Sequence, residues 1–493
     1  MHETTRGQPK GLYLLFFTEL WERFGFYMLS TILVLYLSKG LAYSDSSAYL
    51  LYGAFSSMLY LMPVVGGYLA DRFIGYRQSI TIGAILFLIG YLLMSIPNQR
   101  SLFLGLSFVI IGHGFFKPNV SGIVGELYGP HDPRRDGGFT LFYMGINIGS
   151  LLPPIFAGAL VAAYTWGSGF LVAACGMVVS LIVFLAGQHR LGTAGIVPDT
   201  SPLHKSGAIK AVFYVLLLVG ILVTIGILHL LLFHPREANL ILVIASLGVI
   251  AAVLFFLFKE LPEQRRKMVA CLILIVISVG FWAIYNQTFT SLMLFADRNM
   301  SKEFLGFTID AEFTQFFNPF FIIIMSPFLS WLWVRLDKKG KNPSTPLKFS
   351  LGVLSMAIGF LVLGAGIMVF NSNGESSPWW LVLSYFIQTI GELLLAPIGL
   401  AMVTRLSPKH LVGMMMGVWF LTQAAAFAIG GGLATISAVP KDVTGTAAID
   451  IYAHAFFIYG GISLVLAIVS FTLIPFLKKL IGTSNGPIIT PKR

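Results

Sequence analysis

Fourteen apolar runs, most of them near the 20 residues a helix needs to cross a hydrocarbon core, follow one another along this 493-residue chain. They lie at about 12–37, 48–70, 78–96, 102–127, 138–163 and 166–187, then 210–233 and 238–258, then 267–295, 313–335, 348–370, 378–405, 411–437 and 450–477. No comparable stretch of soluble sequence separates them. Charged residues make up only 11% of the chain, against roughly 25% in an ordinary soluble domain. A soluble enzyme on a single anchor is therefore excluded. The expectation is an all-α polytopic membrane protein with 14 transmembrane helices. The first run is too long for a cleavable leader and carries Glu19, Glu22 and Arg23.

Orientation follows from the basic residues, which favour cytoplasmic loops. With the N-terminus inside, 24 Lys and Arg fall on the inner side and 6 on the outer, and two, Arg23 and Lys117, lie within spans. Both termini are predicted to be cytoplasmic. The same bias accounts for the net charge of +11, so nucleic acid is not an expected partner. Cys175 and Cys271 both sit in apolar runs and are read as small core residues, with neither a disulfide nor a metal site expected.

The runs divide as six, two and six around a polar linker at 188–209. The expected units are 1–187, 188–266, 267–477 and a tail at 478–493. This layout is similar to that of the major facilitator transporters, whose halves pack around a midplane site: two six-helix bundles plus an inserted two-helix hairpin. The loop Gly66-Gly67-Tyr-Leu-Ala-Asp71-Arg72-Phe-Ile-Gly75-Tyr-Arg77 resembles that superfamily's cytoplasmic signature, which implies close helix approach and an Asp/Arg latch. The hairpin spans hold no acidic residue and one mid-span candidate, His229, so no transport role is expected there.

Five charges fall inside predicted spans: Glu19, Glu22, Arg23, Lys117 and Glu392. Left unpaired, five would cost about 12 to 18 kcal/mol on insertion scales. They must be paired, hydrated or neutralised. Glu19, Glu22 and Arg23 are spaced i, i+3, i+4 and share a helix face. Two acids beside one base leave a carboxylate without a local partner, and such a group takes up a proton readily. The alternative is a static network in which Arg23 and Lys117 neutralise both acids. Lys117 precedes Pro118, which deprives the Gly114 carbonyl of its helical donor. His113, one turn earlier, reads as a hydrogen-bonded structural residue or a titrating group. Glu392 shares a face with Gln388 and precedes Pro397. Each half thus supplies a charge near a helix break.

Longer motifs carry a sharper resemblance. Glu19-Leu-Trp-Glu22-Arg23-Phe24-Gly-Phe26-Tyr27 resembles the first-helix signature of the proton-dependent oligopeptide transporter family. Phe139-Thr-Leu-Phe142-Tyr143-Met-Gly-Ile-Asn147-Ile-Gly149-Ser150-Leu151 resembles its fifth-helix signature. Phe115-Phe116-Lys117-Pro118-Asn119, Phe317-Asn318-Pro319, Gly391-Glu392-Leu393 and Trp419-Phe-Leu-Thr-Gln423 agree as well, and the central hairpin is similar to that of prokaryotic members.

The resemblance implies proton-coupled uptake of di- and tripeptides across the bacterial inner membrane by alternating access. It makes Glu22 the leading proton-coupling residue, tuned by Glu19, Arg23 and Lys117. It implies that Lys117 holds the peptide carboxylate and Glu392 the amino terminus, that Lys117 and Glu392 pair as a cytoplasmic gate, and that Asn147 and Asn318 hydrogen-bond the peptide ends. Tyr27, Tyr60, Tyr285 and Trp419 would line side-chain pockets, although each aromatic taken alone reads as ordinary packing. The chemistry agrees, since a zwitterion needs one acidic and one basic anchor. At about 3.3 to 3.6 Å per extended residue, a dipeptide spans roughly 7 Å and a tripeptide roughly 10 to 11 Å.

Three positions depart from the family pattern: Ser30 replaces a common arginine, Phe26 a common tyrosine and Ala396 a frequent serine. The first leaves carboxylate binding more dependent on Lys117. The expected partners are peptides, protons and the lipid bilayer, with no cofactor beyond the coupling proton. A transporter of nitrate, a modified amino acid or a peptidomimetic is the alternative substrate reading, and a non-transporting peptide sensor the alternative class. No nucleophile and base pair appears in the spans, so an enzyme is not expected.

Overall fold

The computed structural model describes residues 7–482 apart from 130, 131, 133, 205, 258, 259, 372, 373, 409 and 410; the expected tail lies outside these from residue 483 onward. The helices are α1 Lys10–Leu35, α2 Asp45–Leu69, α3 Gly75–Met94, α4 Gln99–Glu126, α5 Arg135–Leu151, α6 Pro153–Ala163, α7 Trp166–Gly187, α8 Gly207–Phe233 and α9 Pro235–Leu257. They continue with α10 Pro262–Tyr285, α11 Ser291–Asn299, α12 Phe317–Lys338, α13 Thr345–Val369, α14 Pro378–Leu406, α15 Val412–Ala434 and α16 Gly445–Ile481. Among the described residues, 13 helical stretches are long and apolar enough to cross a membrane. One of them, Asp45–Met94, is 50 residues long and contains both α2 and α3, which makes 14 span-length segments among the described residues, as the apolar runs predict.

Two spans are broken where the sequence reads as continuous. The Pro153-Pro154 pair separates α5 from α6, because neither proline can donate to the preceding turn. The seventh span of the outer twelve pauses at a 3₁₀ turn, Asn286–Phe289, before α11. A single proline has less effect: α4 runs through Pro118 and α14 through Pro397 as continuous helices.

Small residues set the helix spacing, as expected where lipid removes the hydrophobic drive between helices. A Cβ on Gly83 would lie 2.7 Å from the Gly112 carbonyl oxygen, and one on Gly90 2.7 Å from that of Gly105, which seats α3 on α4 at two levels. The α2–α4 crossing is tighter still. A Cβ on Gly66 would lie 2.0 Å from the Gly114 carbonyl oxygen, the one Pro118 leaves without its helical donor. In that signature loop Asp71 and Arg72 are neighbours on a π turn, no ion pair joins them among the described residues, and Arg72 lies over the Tyr68 ring. Arg77 instead ties down the linker, bonding the carbonyls of Ala194 at 2.7 Å and Gly192 at 2.5 Å, while Glu126 accepts from the Gly195 amide.

The first six spans meet the last six along α2–α15 and α5–α12. Polar links between them gather at the end of the bundle opposite the N-terminus, the one predicted to face outward. Arg298 pairs with Asp45 through both guanidinium nitrogens at 2.6 and 2.7 Å, Lys39 pairs with Asp297 at 2.9 Å, and Asp45 also accepts from the Val439 amide. Among the described residues no ion pair joins the two sets at the end that carries the N-terminus. One expectation needs correcting: Cys271 is buried, but Cys175 is exposed on the outward face of α7. A face that meets lipid tails is as apolar as a core, so composition does not separate them.

Candidate functional site

The site is assembled from α1 and α4 on one side and from α10, α12 and α14 on the other. Glu19 and Glu22 are completely buried and Arg23 is 6% exposed. Successive residues of a helix do not normally face each other, yet the Arg23 guanidinium folds back to bond both oxygens of Glu22 at 2.5 Å. Its Nε also lies 3.6 Å from Glu19, and its planar face covers the Phe26 ring at 4.7 Å. Lys117 reaches across from α4 to bond Glu19. Each acid therefore has a cation, and α4 supplies the partner that α1 lacks. Within this cluster one carboxylate oxygen, Glu19 Oε2, has no hydrogen-bond partner among the described residues.

Lys117 is the solvent-facing member of the four, with 27% of its side chain exposed. His113, one turn earlier, is buried and donates from Nδ1 to the Leu59 carbonyl at 3.2 Å. Its ring packs on Phe26 and Tyr60. That is the arrangement of a structural histidine.

On the opposite side, Glu392 accepts a 2.7 Å bond from Asn318 Nδ2, which also bonds Thr389, and Tyr285 is a further hydrogen-bonding neighbour. Lys117 and Glu392 are not paired in this conformation. Tyr27 and Tyr60 lie between the two charged groups, each within electrostatic reach of both Arg23 and Glu392. Asn147 Nδ2 is held by the Tyr143 carbonyl at 2.9 Å. Trp419 is buried, and its ring edge fills the space a Cβ on Gly399 would occupy. The seven expected anchors and pocket residues other than Trp419 thus surround one region, while Trp419 forms the α14–α15 contact behind it.

A profile of the POT family matches residues 77–450. Dipeptide and tripeptide permease B of Salmonella typhimurium is 38% identical over 481 residues, covering 97% of each chain. The chain belongs to the POT family. The crystal structure of a peptide transporter POT in complex with sulfate superposes with a TM-score of 0.84 at 34% identity, covering 97% of both chains. A POT family transporter in complex with 5-aminolevulinic acid gives 0.82 at 29% identity, covering 96% of this chain and 98% of that one. The POT relatives are permeases and transporters rather than enzymes, and the major facilitator fold expected from the run pattern is the fold found.

Within the POT scaffold, two contacts go beyond the sequence expectation. Phe427 of α15 stacks on Tyr60 with centroids 4.7 Å apart and planes 11° apart; its only signal is a spacing of four and eight residues from Gln423 and Trp419. Tyr143 is 43% exposed and lies within electrostatic reach of Glu392, one helical turn before Asn147. Of the departures from the family pattern, Ser30 is buried beside Tyr52.

Proposed function

We propose that this chain takes up di- and tripeptides together with protons across the bacterial inner membrane, with 1–187 and 267–477 as the moving units and both termini cytoplasmic. The observation that carries the reading is the shared use of Glu19 by two cations. A proton on Glu22 removes the charge that holds Arg23. The freed guanidinium is already 3.6 Å from Glu19 and can take it over from Lys117. Lys117 then becomes available to the carboxylate of a peptide, whose amino terminus meets Glu392. Each charge in the loaded site has a partner, so the low-dielectric interior holds no isolated ion. Release of the peptide and proton returns Lys117 to Glu19, and transient pairing of Lys117 with Glu392 closes the inner end. Asn147 and Asn318 orient the peptide ends, and Tyr27, Tyr60, Tyr285 and Trp419 shape the side-chain pockets.

Proteoliposomes under an inward proton gradient test this reading. Labelled dipeptide should accumulate and collapse with the gradient; absence of gradient-stimulated uptake overturns the proposal. A second reading, transport of a small amino-carboxylate, draws support from the relative bound to 5-aminolevulinic acid. Competition between that compound and a dipeptide panel separates the two.

A further inference from the structure

The central hairpin is not a passive insertion. Its two helices part: α8 packs on α4, whereas α9 packs more extensively on α2 and α15 than on α8. The groove α9 occupies is the seam between the first and last sets of six spans. There α2 and α15 approach to backbone contact, since a Cβ on Gly53 would lie 2.8 Å from Gly431 Cα, and one on Gly431 2.9 Å from Gly53 Cα.

Two polar side chains on the buried face of α9 reach different sides of that seam. Asn239, 7% exposed, donates from Nδ2 to the Leu50 carbonyl of α2 at 3.0 Å. Ser246, 2% exposed, lies 3.3 Å from the Leu421 carbonyl of α15 while also bonding Leu242 within α9. Ala238, Leu242, Val253 and Leu257 complete the buried stripe. Leu50 lies near the outer start of α2 and Leu421 near the middle of α15, so the two bonds span the outer half of the seam.

We propose that α9 is a strap across the α2–α15 seam that favours the outer-closed state. This rests on the alternating-access reading above, because opening to the outside separates α2 from α15 and α9 can follow only one of them. Either the Asn239 or the Ser246 contact is then lost. Interhelical hydrogen bonds in membranes are individually modest, so the strap biases an equilibrium and does not lock it.

The test reads opening directly, without substrate. Ser437, at the outer end of α15, is fully buried beside Tyr49 of α2. With Cys175→Ala and Cys271→Ala as background, Ser437→Cys should react with a maleimide only when the outer seam opens, at a rate proportional to the open fraction. In full-length protein in lipid nanodiscs, Ser246→Ala should raise that rate about threefold for an average bond, and Asn239→Leu with Ser246→Ala should raise it no further, because α9 without the Ser246 contact already travels with α2 and keeps its bond to Leu50. Unchanged rates overturn the strap. If the double variant does not fold, Ser246→Ala alone decides, since it removes only a hydroxyl. Dipeptide uptake measured in parallel keeps the two readings apart: a faster reaction without uptake by the parent protein leaves the strap standing and removes the peptide assignment.

Discussion

At the residue scale the chemistry depends on how few charges the interior holds and how they are shared. Glu22 gives both oxygens to Arg23, and Glu19 divides itself between Arg23 and Lys117. Glu22→Gln keeps the shape and removes the proton site, so gradient-driven uptake should be lost while peptide counterflow persists; loss of neither, in paired proteoliposome assays, removes Glu22 as the coupling residue. Acids in the loops behave differently. Arg134 beside Asp132 holds that carboxyl down at about 2, below the usual 3.8. For a depressed carboxylate, the stabilisation is complete above the unfolded value and is lost as pH falls through the folded one. Between pH 5 and 8 Asp132 does not titrate, and Asp132→Asn should leave the pH profile of uptake unchanged. The shared face of Glu19, Glu22 and Arg23 was legible from spacing alone. That Lys117 joins this cluster was also readable, but which acid it serves was not, because Lys117 is 98 residues from Glu19 and only the α1–α4 packing decides which carboxylate it meets.

At the element scale, glycine and proline act through backbone contact. Pro118 frees the Gly114 carbonyl, and Gly66 lets that carbonyl approach α2. Gly66→Ala would place a methyl 2.0 Å from backbone oxygen, whereas Gly67→Ala would meet nothing nearer than the Pro118 Cβ at 3.7 Å. Overpacking of this kind costs about 1–3 kcal/mol. Thermal unfolding in detergent should therefore show a clear loss for Gly66→Ala and little change for Gly67→Ala; equal melting of the two would remove the close crossing as a determinant. Span positions were readable because apolar length is a one-dimensional property. The break at Pro153-Pro154 and the continuity through Pro118 and Pro397 were not, since whether a proline interrupts a helix depends on which neighbours satisfy the freed groups.

At the scale of the whole molecule, the end predicted to face outward is held by Asp45, Arg298, Lys39 and Asp297, and the opposite end has no matching pair among the described residues. Asp45 is 4% exposed and Arg298 30%, so removing the guanidinium leaves a buried carboxylate with the Val439 amide and little else. Arg298→Ala should raise the maleimide reactivity of Ser437→Cys by roughly tenfold or more, the effect of about 1.4 kcal/mol in an opening equilibrium; an unchanged rate means that the outer closure does not depend on this pair. The sequence by itself determined that the chain crosses a membrane 14 times and, through its motifs, which family it resembles, because apolar length, charge rarity and local spacing are written along the chain. Which cation serves which acid, where α9 lies and which end is closed were decided only by tertiary structure. Those contacts join residues tens to hundreds of positions apart, and in a lipid solvent a helix face bound for protein has nearly the same composition as one bound for the bilayer.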